Sequence, residues 1–249
     1  MTRGVTYTAF LLSAVLLLGP VVVLIWHAGS LGVAWHQLLV RSAIRTTLGS
    51  GVIALALVIG LGMPMSWVLA RNVAPGWKKI WGVLLVIPLL MPPLVVGLVV
   101  AYVLGPVSNW WPQVGDNTWT ALIVAEVVEA LPYFVIAAWG TLGAISRHWE
   151  EDVWVLGKTP AQTARYVIWP LARPGLLVAA SMAWARIVGA FGAPIVVAYH
   201  PTALPVAIWI TLEEQGLPAA LALSLWLLLV SLPLPVAVNG WWNHVDGLH

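Results

Sequence analysis

The chain has 249 residues, of which 61% are hydrophobic and only 8% are charged, and its formal net charge is +2. A soluble domain carries roughly 25% charged residues, so this composition excludes a soluble fold and predicts an integral membrane protein. The basic residues are too few and too dispersed for nucleic-acid binding. The chain has no cysteine, and its six histidines show no metal-ligand spacing, so we expect no metal site.

Six apolar runs reach the length of about 20 residues that a helix needs to cross the hydrocarbon layer. We therefore predict an all-α integral membrane protein with six transmembrane helices, forming one domain over residues 1–249. The alternative for the first run is a cleaved signal peptide, which its length and the lack of a clear cleavage site disfavour. The predicted spans are residues 7–27, 47–70, 80–104, 119–145, 174–199 and 217–242.

The distribution of Lys and Arg predicts the orientation of these spans, because cytoplasmic loops carry the excess of positive charge. With the N-terminus inside, the cytoplasmic segments hold eight of the eleven basic residues, and the outer segments hold only Arg41 and Arg45. Both termini are therefore expected in the cytoplasm. The remaining basic residue, Arg186, falls within the fifth apolar run.

Prolines interrupt several of the predicted spans, most densely at Pro88, Pro92 and Pro93 in the third. Each proline removes a backbone donor, which is tolerated at membrane depth only beside other protein or a watery cavity. One interpretation is that these prolines only kink their helices. The other is that the bent helices form a bundle that lines a path through the membrane.

Three ionisable residues lie at membrane depth: Glu126 and Glu129 in the fourth span, and Arg186 in the fifth. Charged groups are costly in lipid and usually face a cavity or one another. The two carboxylates are three residues apart and share one helix face. They can order the two spans as a buried network, or they can take part in gating. Direct oxyanion binding by Arg186 is less favoured, because both carboxylates would oppose an anion.

A polar segment at about residues 146–173 separates the fourth span from the fifth and holds seven of the twenty charged residues. Glu150, Glu151 and Asp152 fit the first turns of a short amphipathic helix, where carboxylates complement the helix dipole. Gly157 can end that helix in the left-handed conformation. The segment faces the cytoplasm in the predicted topology.

A second short helix is predicted from Thr159, which with Gln162 spells a capping box and places Pro160 at the first helical position. We expect it to end near Ile168, before Pro170. A cytoplasmic amphipathic helix lies on lipid or enters a groove of another protein. The acidic residues disfavour an anionic lipid surface, so a protein partner is the better prediction.

The spacing from Glu151 to Gly157 and Pro170 resembles, without a gap, the EAA loop of the permease subunits of ABC importers. That pattern reads Glu-Ala-Ala, three residues, Gly, nine residues, Ile, any residue, Leu, Pro. Leu156 before the glycine also fits many members. Val167 replaces the isoleucine conservatively, and the residues that depart from the pattern are Asp152, Val153 and Trp169.

The fifth span is similar to that of molybdate, tungstate and sulfate permeases, which typically reads Phe-Ala-Arg-Ala-Leu-Gly-Glu-Phe-Gly-Ala-Thr. Ala190 stands where that group has its acidic residue, and we hypothesise that Glu126 or Glu129 replaces the lost partner of Arg186. The matching residues are Arg186, Gly189, Phe191, Gly192 and Ala193.

The resemblance implies a type I ABC importer permease with both termini inside, multi-pass in a prokaryotic plasma membrane. It implies a homodimer, an external substrate-binding protein and a cytoplasmic ATPase dimer that carries ATP and Mg²⁺, so that this chain is neither an enzyme nor a cofactor protein. Molybdate or tungstate is the expected substrate, with sulfate or another small solute as alternatives. The implied ATPase-coupling residues are Glu151, Asp152, Leu156, Gly157, Thr159, Pro160 and Pro170, and the candidate path or gate residues are Glu126, Glu129, Arg186, Gly189 and Phe191.

The competing hypothesis is a self-contained secondary transporter that uses Glu126, Glu129 and Arg186 as an ion relay. Such a transporter has no need for a cytoplasmic docking loop. Gly157-Lys158-Thr159 resembles the end of a phosphate-binding loop, but Asp152 occupies the position of the earlier glycine and no buried strand precedes it. Nucleotide binding is therefore expected on another subunit.

Overall fold

The computed structural model describes residues 3–27 and 38–238, and all the regular elements in those two ranges are helical. A single 3₁₀ turn, Pro112–Val114, precedes α5. The α-helices in chain order are α1 (Arg3–His27), α2 (Leu38–Arg71), α3 (Pro75–Leu90), α4 (Pro93–Ser108), α5 (Trp119–Ala144), α6 (His148–Val155), α7 (Pro160–Thr163), α8 (Trp169–Val188), α9 (Gly192–Val197), α10 (Leu204–Gln215) and α11 (Leu217–Ser231).

Five helical segments within the described ranges are long and apolar enough to cross a membrane, and α3 with α4 forms a sixth span that is bent by 99°. The prediction of six spans is therefore confirmed. The second span begins at Leu38, earlier than predicted. The sixth span continues to Val238, and its predicted end at residue 242 lies outside the described residues.

The third span is broken between α3 and α4 because two prolines follow each other. Met91 and Pro92 each precede a proline, and both adopt extended backbone angles, with ψ of 129° and 136°. A residue before proline is pushed out of the helical region, and proline donates no backbone hydrogen bond. Pro88, by contrast, is accommodated inside α3. Pro92 and Pro93 thus break the helix, and the path that bent helices would line stays a prediction.

The fifth span differs from its prediction at both ends. A single helical segment runs from Pro160 to Val188, so the second helix of the polar loop continues into the membrane without the predicted stop at Pro170. A π-helical turn at Ala164–Ile168 precedes the proline, and the Trp169 N–H donates to the Ala164 carbonyl. A π turn adds one residue and relieves the clash that a proline ring makes with the preceding turn.

The outer end of the fifth span is also shorter than residues 174–199, because the helix ends at Val188 and the chain restarts as the short α9. The α10 helix was not predicted from the sequence, and it is too short to span a membrane. Its N-terminus is attached to α2 by a hydrogen bond from the Leu204 N–H to the Thr47 hydroxyl oxygen (2.7 Å). The segment 189–215 thus folds back against the bundle.

The main core lies between α2, α5 and α8, where small residues such as Ala54, Ala130 and Ala183 are fully buried. Small side chains let helices approach closely in a membrane. Glycine allows a still closer approach between α4 and α9. A Cβ built on Gly97 would lie 2.8 Å from the Ala193 Cα, and one on Gly192 would lie 2.6 Å from the Pro93 Cβ.

Candidate functional site

The polar loop forms the predicted helix and glycine corner. After α6, the Lys158 N–H donates to the Val153 carbonyl (3.3 Å) and the Gly157 N–H donates to the Trp154 carbonyl (2.9 Å). Gly157 has φ of +77°. These two bonds and the left-handed glycine form a Schellman motif, which satisfies carbonyls that the helix end would leave unpaired. The corner therefore has one defined geometry.

The start of α7 is fixed by the predicted capping box. The Thr159 hydroxyl oxygen accepts from the Gln162 N–H (3.3 Å), and the Gln162 side chain accepts from the Thr159 N–H (3.0 Å). Pro160 occupies the first turn, and the buried Thr163 donates its hydroxyl hydrogen to the Thr159 carbonyl. The long helix that contains Pro170 and Arg186 thus has a well-defined cytoplasmic start.

The two predicted carboxylates of the loop project from the surface. The side chains of Glu151 and Asp152 are 67% and 54% exposed, and the imidazole of His148 lies 4.0 and 3.7 Å from their carboxylate oxygens. Most residues of α6 are exposed, and Glu150 and Val153 are half-buried. The large apolar residues exposed around them are Trp149, Trp154, Val155, Leu156, Tyr166 and Trp169. Several exposed large apolar residues close in sequence to exposed carboxylates are typical of a protein docking site.

One contact of the loop escaped the sequence analysis. Arg71, the last residue of α2, places its Nη1 2.7 Å from the Glu150 Oε1, and both side chains are mostly buried. The same nitrogen donates to the Ile145 carbonyl (3.1 Å). The sequence shows both charges, but they are far apart along the chain, so no local pattern pairs them. Neighbouring glutamates thus differ: Glu150 attaches α6 to the bundle, and Glu151 faces solvent.

The charged residues at membrane depth form a network that joins three helices. Glu129 on α5 is buried, and its Oε2 lies 2.7 Å from the Arg186 Nη2 on α8. Its Oε1 accepts the Ala193 N–H of α9 at 3.2 Å. The guanidinium also lies 5.8 Å from the ring centroid of Tyr133. Glu129 therefore holds both sides of the break between α8 and α9.

Glu126 forms a separate contact one turn away. Its Oε1 accepts the hydroxyl hydrogen of Ser50 on α2 (2.8 Å), while its Oε2 is buried without a hydrogen-bond partner. Glu129, and not Glu126, is thus the acidic neighbour of Arg186. No group of three or more potential ligating residues that could hold a metal ion occurs within residues 3–27 and 38–238.

The break itself contains the other two candidate path residues. Gly189 ends α8, and its N–H donates to the Ala185 carbonyl (3.1 Å). The Phe191 ring packs against Trp209 on α10, with ring centroids 5.7 Å apart. Phe191 has φ of −122° and ψ of −52°, outside the helical range. The structure therefore brings Arg186, Glu129 and the 189–191 break together.

A six-span bundle with a buried ion pair, a broken helix and an exposed cytoplasmic loop defines a multi-pass membrane protein. Residues 62–246 match the family model of the binding-protein-dependent transport system inner membrane component. The chain belongs to this family of ABC transporter permeases of the inner membrane. It is therefore a transport subunit and not an enzyme, and permease subunits of this kind bind no cofactor themselves.

Curated relatives include permeases named for two kinds of oxyanion. The chain is 29% identical over 188 residues to a probable molybdenum ABC transporter permease of Haloferax volcanii, covering 73% of this chain and 68% of that protein. It is 32% identical over 216 residues to the sulfate transport system permease protein CysT of Synechocystis, with 81% and 75% covered. It is 28% identical over 185 residues to the molybdate/tungstate permease WtpB of Pyrococcus abyssi, with 74% and 71% covered.

Solved structures share the fold at low sequence identity. A bacterial alginate ABC transporter in complex with an alginate pentasaccharide-bound periplasmic protein matches with a TM-score of 0.73 and 16% identity, over 98% of this chain and 96% of that chain. The inward-facing MetNI methionine ABC transporter matches with a TM-score of 0.68 and 18% identity, over 83% and 96%. These matches confirm the predicted type I importer fold.

Proposed function

We propose that this chain is the permease of an importer for a small tetrahedral oxyanion, with molybdate or tungstate as the expected substrate and sulfate as the alternative. The support is that relatives over about three quarters of the chain carry the names of molybdenum, molybdate/tungstate and sulfate permeases. The anions in those names share their tetrahedral shape and oxygen surface. A permease for another small solute is the second candidate.

The working assembly that we propose contains two copies of this chain, a cytoplasmic ATPase dimer that carries ATP and Mg²⁺, and an external substrate-binding protein. The observation that carries this proposal is the cytoplasmic loop, because its large apolar side chains and the carboxylates of Glu151 and Asp152 are exposed in the described chain. The residues 1–249 then act as one permease domain, with the loop at about 146–173 as its coupling element.

Within the loop, Glu151, Asp152 and Leu156 contact the ATPase in this proposal. Gly157, Thr159 and Pro160 set the angle between α6 and the helix that begins at Pro160. The capped corner supports these roles, since a loop without fixed ends could not transmit a displacement. Pro170, next to the π turn, lies where this helix enters the membrane.

At the outer end of the same helix, Arg186, Glu129, Gly189 and Phe191 form the proposed gate, with Glu126 beside them. Glu129 contacts Arg186 on one side of the break and the Ala193 N–H on the other, so releasing it would free α9 from α8. Phe191 lies in the break between α8 and α9, so in this proposal its ring moves when α9 moves. In the structure the Glu129 side chain is buried and the Arg186 side chain is 25% exposed.

Reconstitution tests the proposal. The permease, its ATPase and its binding protein are placed in proteoliposomes, and tungstate uptake is measured with ATP inside. We expect uptake that requires all three proteins, and that molybdate inhibits. Tungstate uptake by the permease without an ATPase would instead establish the secondary transporter. Import of a different solute, with no import of tungstate, molybdate or sulfate, would overturn the proposed substrate.

A further inference from the structure

An apolar cavity lies near the cytoplasmic end of the bundle, where α2, α5 and the start of the long Pro160–Val188 helix meet. Its volume is about 540 Å³. The indole rings of Trp67 and Trp169 line it, and Arg165 is the one charged residue in a lining that is otherwise hydrophobic. The cavity thus combines a hydrocarbon-like interior with a single cation.

The ends of the neighbouring helices place this cavity at the inner surface of the membrane. The cytoplasmic ends of α2 and α5 lie side by side, because the Arg71 Nη1 donates to the Ile145 carbonyl (3.1 Å). Trp67 and Leu142, which line the cavity, precede these two ends by one turn or less. Met63 continues the lining one turn further towards the bilayer centre. Tryptophan rings prefer the headgroup layer, so the cavity extends from that layer into the hydrocarbon.

Two local features of the sequence leave this space open. Small side chains occur where the long helix passes α2 and α5, since Ala161, Ala164 and Ala172 are all part of the lining. The π turn at Ala164–Ile168 also changes the register of the helix at this point. Such turns are frequent at functional sites in helices.

The charge of the cavity comes from Arg165. Its side chain is exposed, and its guanidinium carbon lies 5.7 Å from the ring centroid of Tyr166. None of the carboxylates in the part of the chain that the structure describes forms an ion pair with it. The exposed acids Glu151 and Asp152 would repel an anion, but they belong to α6 and do not line the cavity.

This lining suits a molecule with a hydrocarbon tail and an anionic head. A small oxyanion would leave the hydrophobic walls unused, and a neutral solute would leave the guanidinium unused. Basic pockets between membrane helices on the cytoplasmic side bind the headgroups of anionic lipids, and a guanidinium offers phosphate a planar fork of donors. Lipid tails are as apolar as the cavity walls, so the charge must select the lipid.

We propose that this cavity is a binding site for an anionic phospholipid of the cytoplasmic leaflet. Arg165 binds the phosphate group, Trp67 and Trp169 form the walls beside it, and one acyl chain lies along Met63. A lipid in this position contacts α2 and the π turn at once, so it supports the start of the long helix. The site does not depend on which solute the permease imports.

Native mass spectrometry of the permease co-purified with its ATPase tests this site. The complex is titrated with phosphatidylglycerol and, separately, with phosphatidylcholine of the same acyl chains. We expect the wild type to bind phosphatidylglycerol about tenfold more tightly, the contribution of one charge-assisted contact. Arg165→Gln should bind both lipids equally, and Arg165→Lys should keep part of the preference. Lys79→Gln removes an exposed cytoplasmic charge outside the cavity and should keep all of it.

A second pair of variants tests the hydrophobic part of the cavity. Ala161 is exposed and lines the cavity, so Ala161→Leu should obstruct it and weaken binding of phosphatidylglycerol. Ala9→Leu adds the same side chain at an exposed position of α1 and should leave binding unchanged. Thermal unfolding checks that each variant is folded. Phosphatidylglycerol should also raise the melting temperature of the wild type more than that of Arg165→Gln, because a ligand stabilises the state that binds it.

Three results would overturn the proposal. The first is equal binding of phosphatidylglycerol by the wild type, Arg165→Gln and Ala161→Leu. The second is competition by glycerophosphoglycerol, which has the headgroup without the acyl chains, since the hydrophobic cavity would then play no part. The third is an Arg165→Gln variant that binds the lipid normally but loses the ATPase during purification, since the cavity would then be a protein contact.

Discussion

Arg71 and Glu150 form an ion pair of 2.7 Å that attaches the first helix of the coupling loop to the cytoplasmic end of α2. Glu151, the next residue, is 67% exposed at its side chain and faces away from the bundle. Two adjacent carboxylates therefore belong to different interfaces. One keeps α6 in position within the permease, and the other is available to a second protein.

Replacing these two glutamates separately should give different defects. Glu150→Ala leaves the largely buried Arg71 without its ionic partner, so we expect a loss of roughly 1–3 kcal/mol in stability. Glu151→Ala should leave the melting temperature in detergent unchanged and weaken capture of the ATPase. Melting curves and co-purification of the ATPase measure the two effects. Equal melting temperatures for both variants would contradict the assignment of Glu150.

Gly157→Val should separate ATP hydrolysis from transport. A β-branched residue at φ of +77° costs about 1–2 kcal/mol, because its Cβ approaches the following carbonyl. The Schellman corner would then change its angle while the protein remains inserted. The ratio of tungstate imported to ATP hydrolysed is the measurement.

Gly216 provides the matched control for that substitution. Its φ is +85°, and a Cβ would meet no atom within 4 Å at either glycine. Gly216 has ψ of −178°, a combination that essentially only glycine adopts, so Gly216→Val introduces a backbone strain at least as large, outside the coupling loop. We expect a normal transport ratio from it, and a similar fall in the ratio for both variants would show that the effect at Gly157 is general strain.

Exchanging the charges of Arg186 and Glu129 should restore part of the expression and tungstate uptake that each single substitution removes. Arg186→Glu or Glu129→Arg alone leaves an unpaired or repelling charge in a desolvated site, at a cost of roughly 3–5 kcal/mol. The double variant re-forms a pair, although the guanidinium introduced on α5 could not accept the Ala193 N–H as the native carboxylate does. Expression level and tungstate uptake report the rescue. A double variant as defective as the worse single variant would count against the pairing.

Close packing of α4 on α9 should tolerate no additional methyl group at Gly97. The added Cβ would lie 2.8 Å from the Ala193 Cα, so the backbone must move, and overpacking of this kind costs about 1–3 kcal/mol. Gly105→Ala on the same helix meets no atom within 4 Å and is the control. We expect a lower melting temperature for Gly97→Ala only. Equal temperatures would show that α9 is not held against α4.

Much of the architecture was predictable because the membrane imposes it. Apolar runs fix the spans, and local capping signals fix the corner at Gly157 and the start at Thr159, since those signals act within a few residues. The pairing of Arg186 with Glu129 was predictable only as one of two possibilities. The choice between Glu126 and Glu129 depends on how α5 is rotated against α8, which a single sequence does not encode locally.

The remaining differences have long-range causes. The chemistry of Pro170 predicts that the helix stops there, but the π turn that precedes the proline lets the helix continue. The α10 helix is only 12 residues long, and its start depends on a hydrogen bond to Thr47 in a distant helix. The Arg71–Glu150 pair joins segments that the third and fourth spans separate. None of these features leaves a periodic signal in the sequence.

The continuity of the helix from Pro160 to Val188 has a mechanical consequence. Its 29 residues extend about 43 Å at 1.5 Å per residue, from the capped corner to the residues beside the break. A tilt of about 10° at the cytoplasmic end would therefore displace the Arg186 end by about 7 Å, more than twice the length of its contact with Glu129. A small rotation imposed from the cytoplasm is thus enough to pull this ion pair apart, if the π turn at Ala164–Ile168 transmits it along the helix.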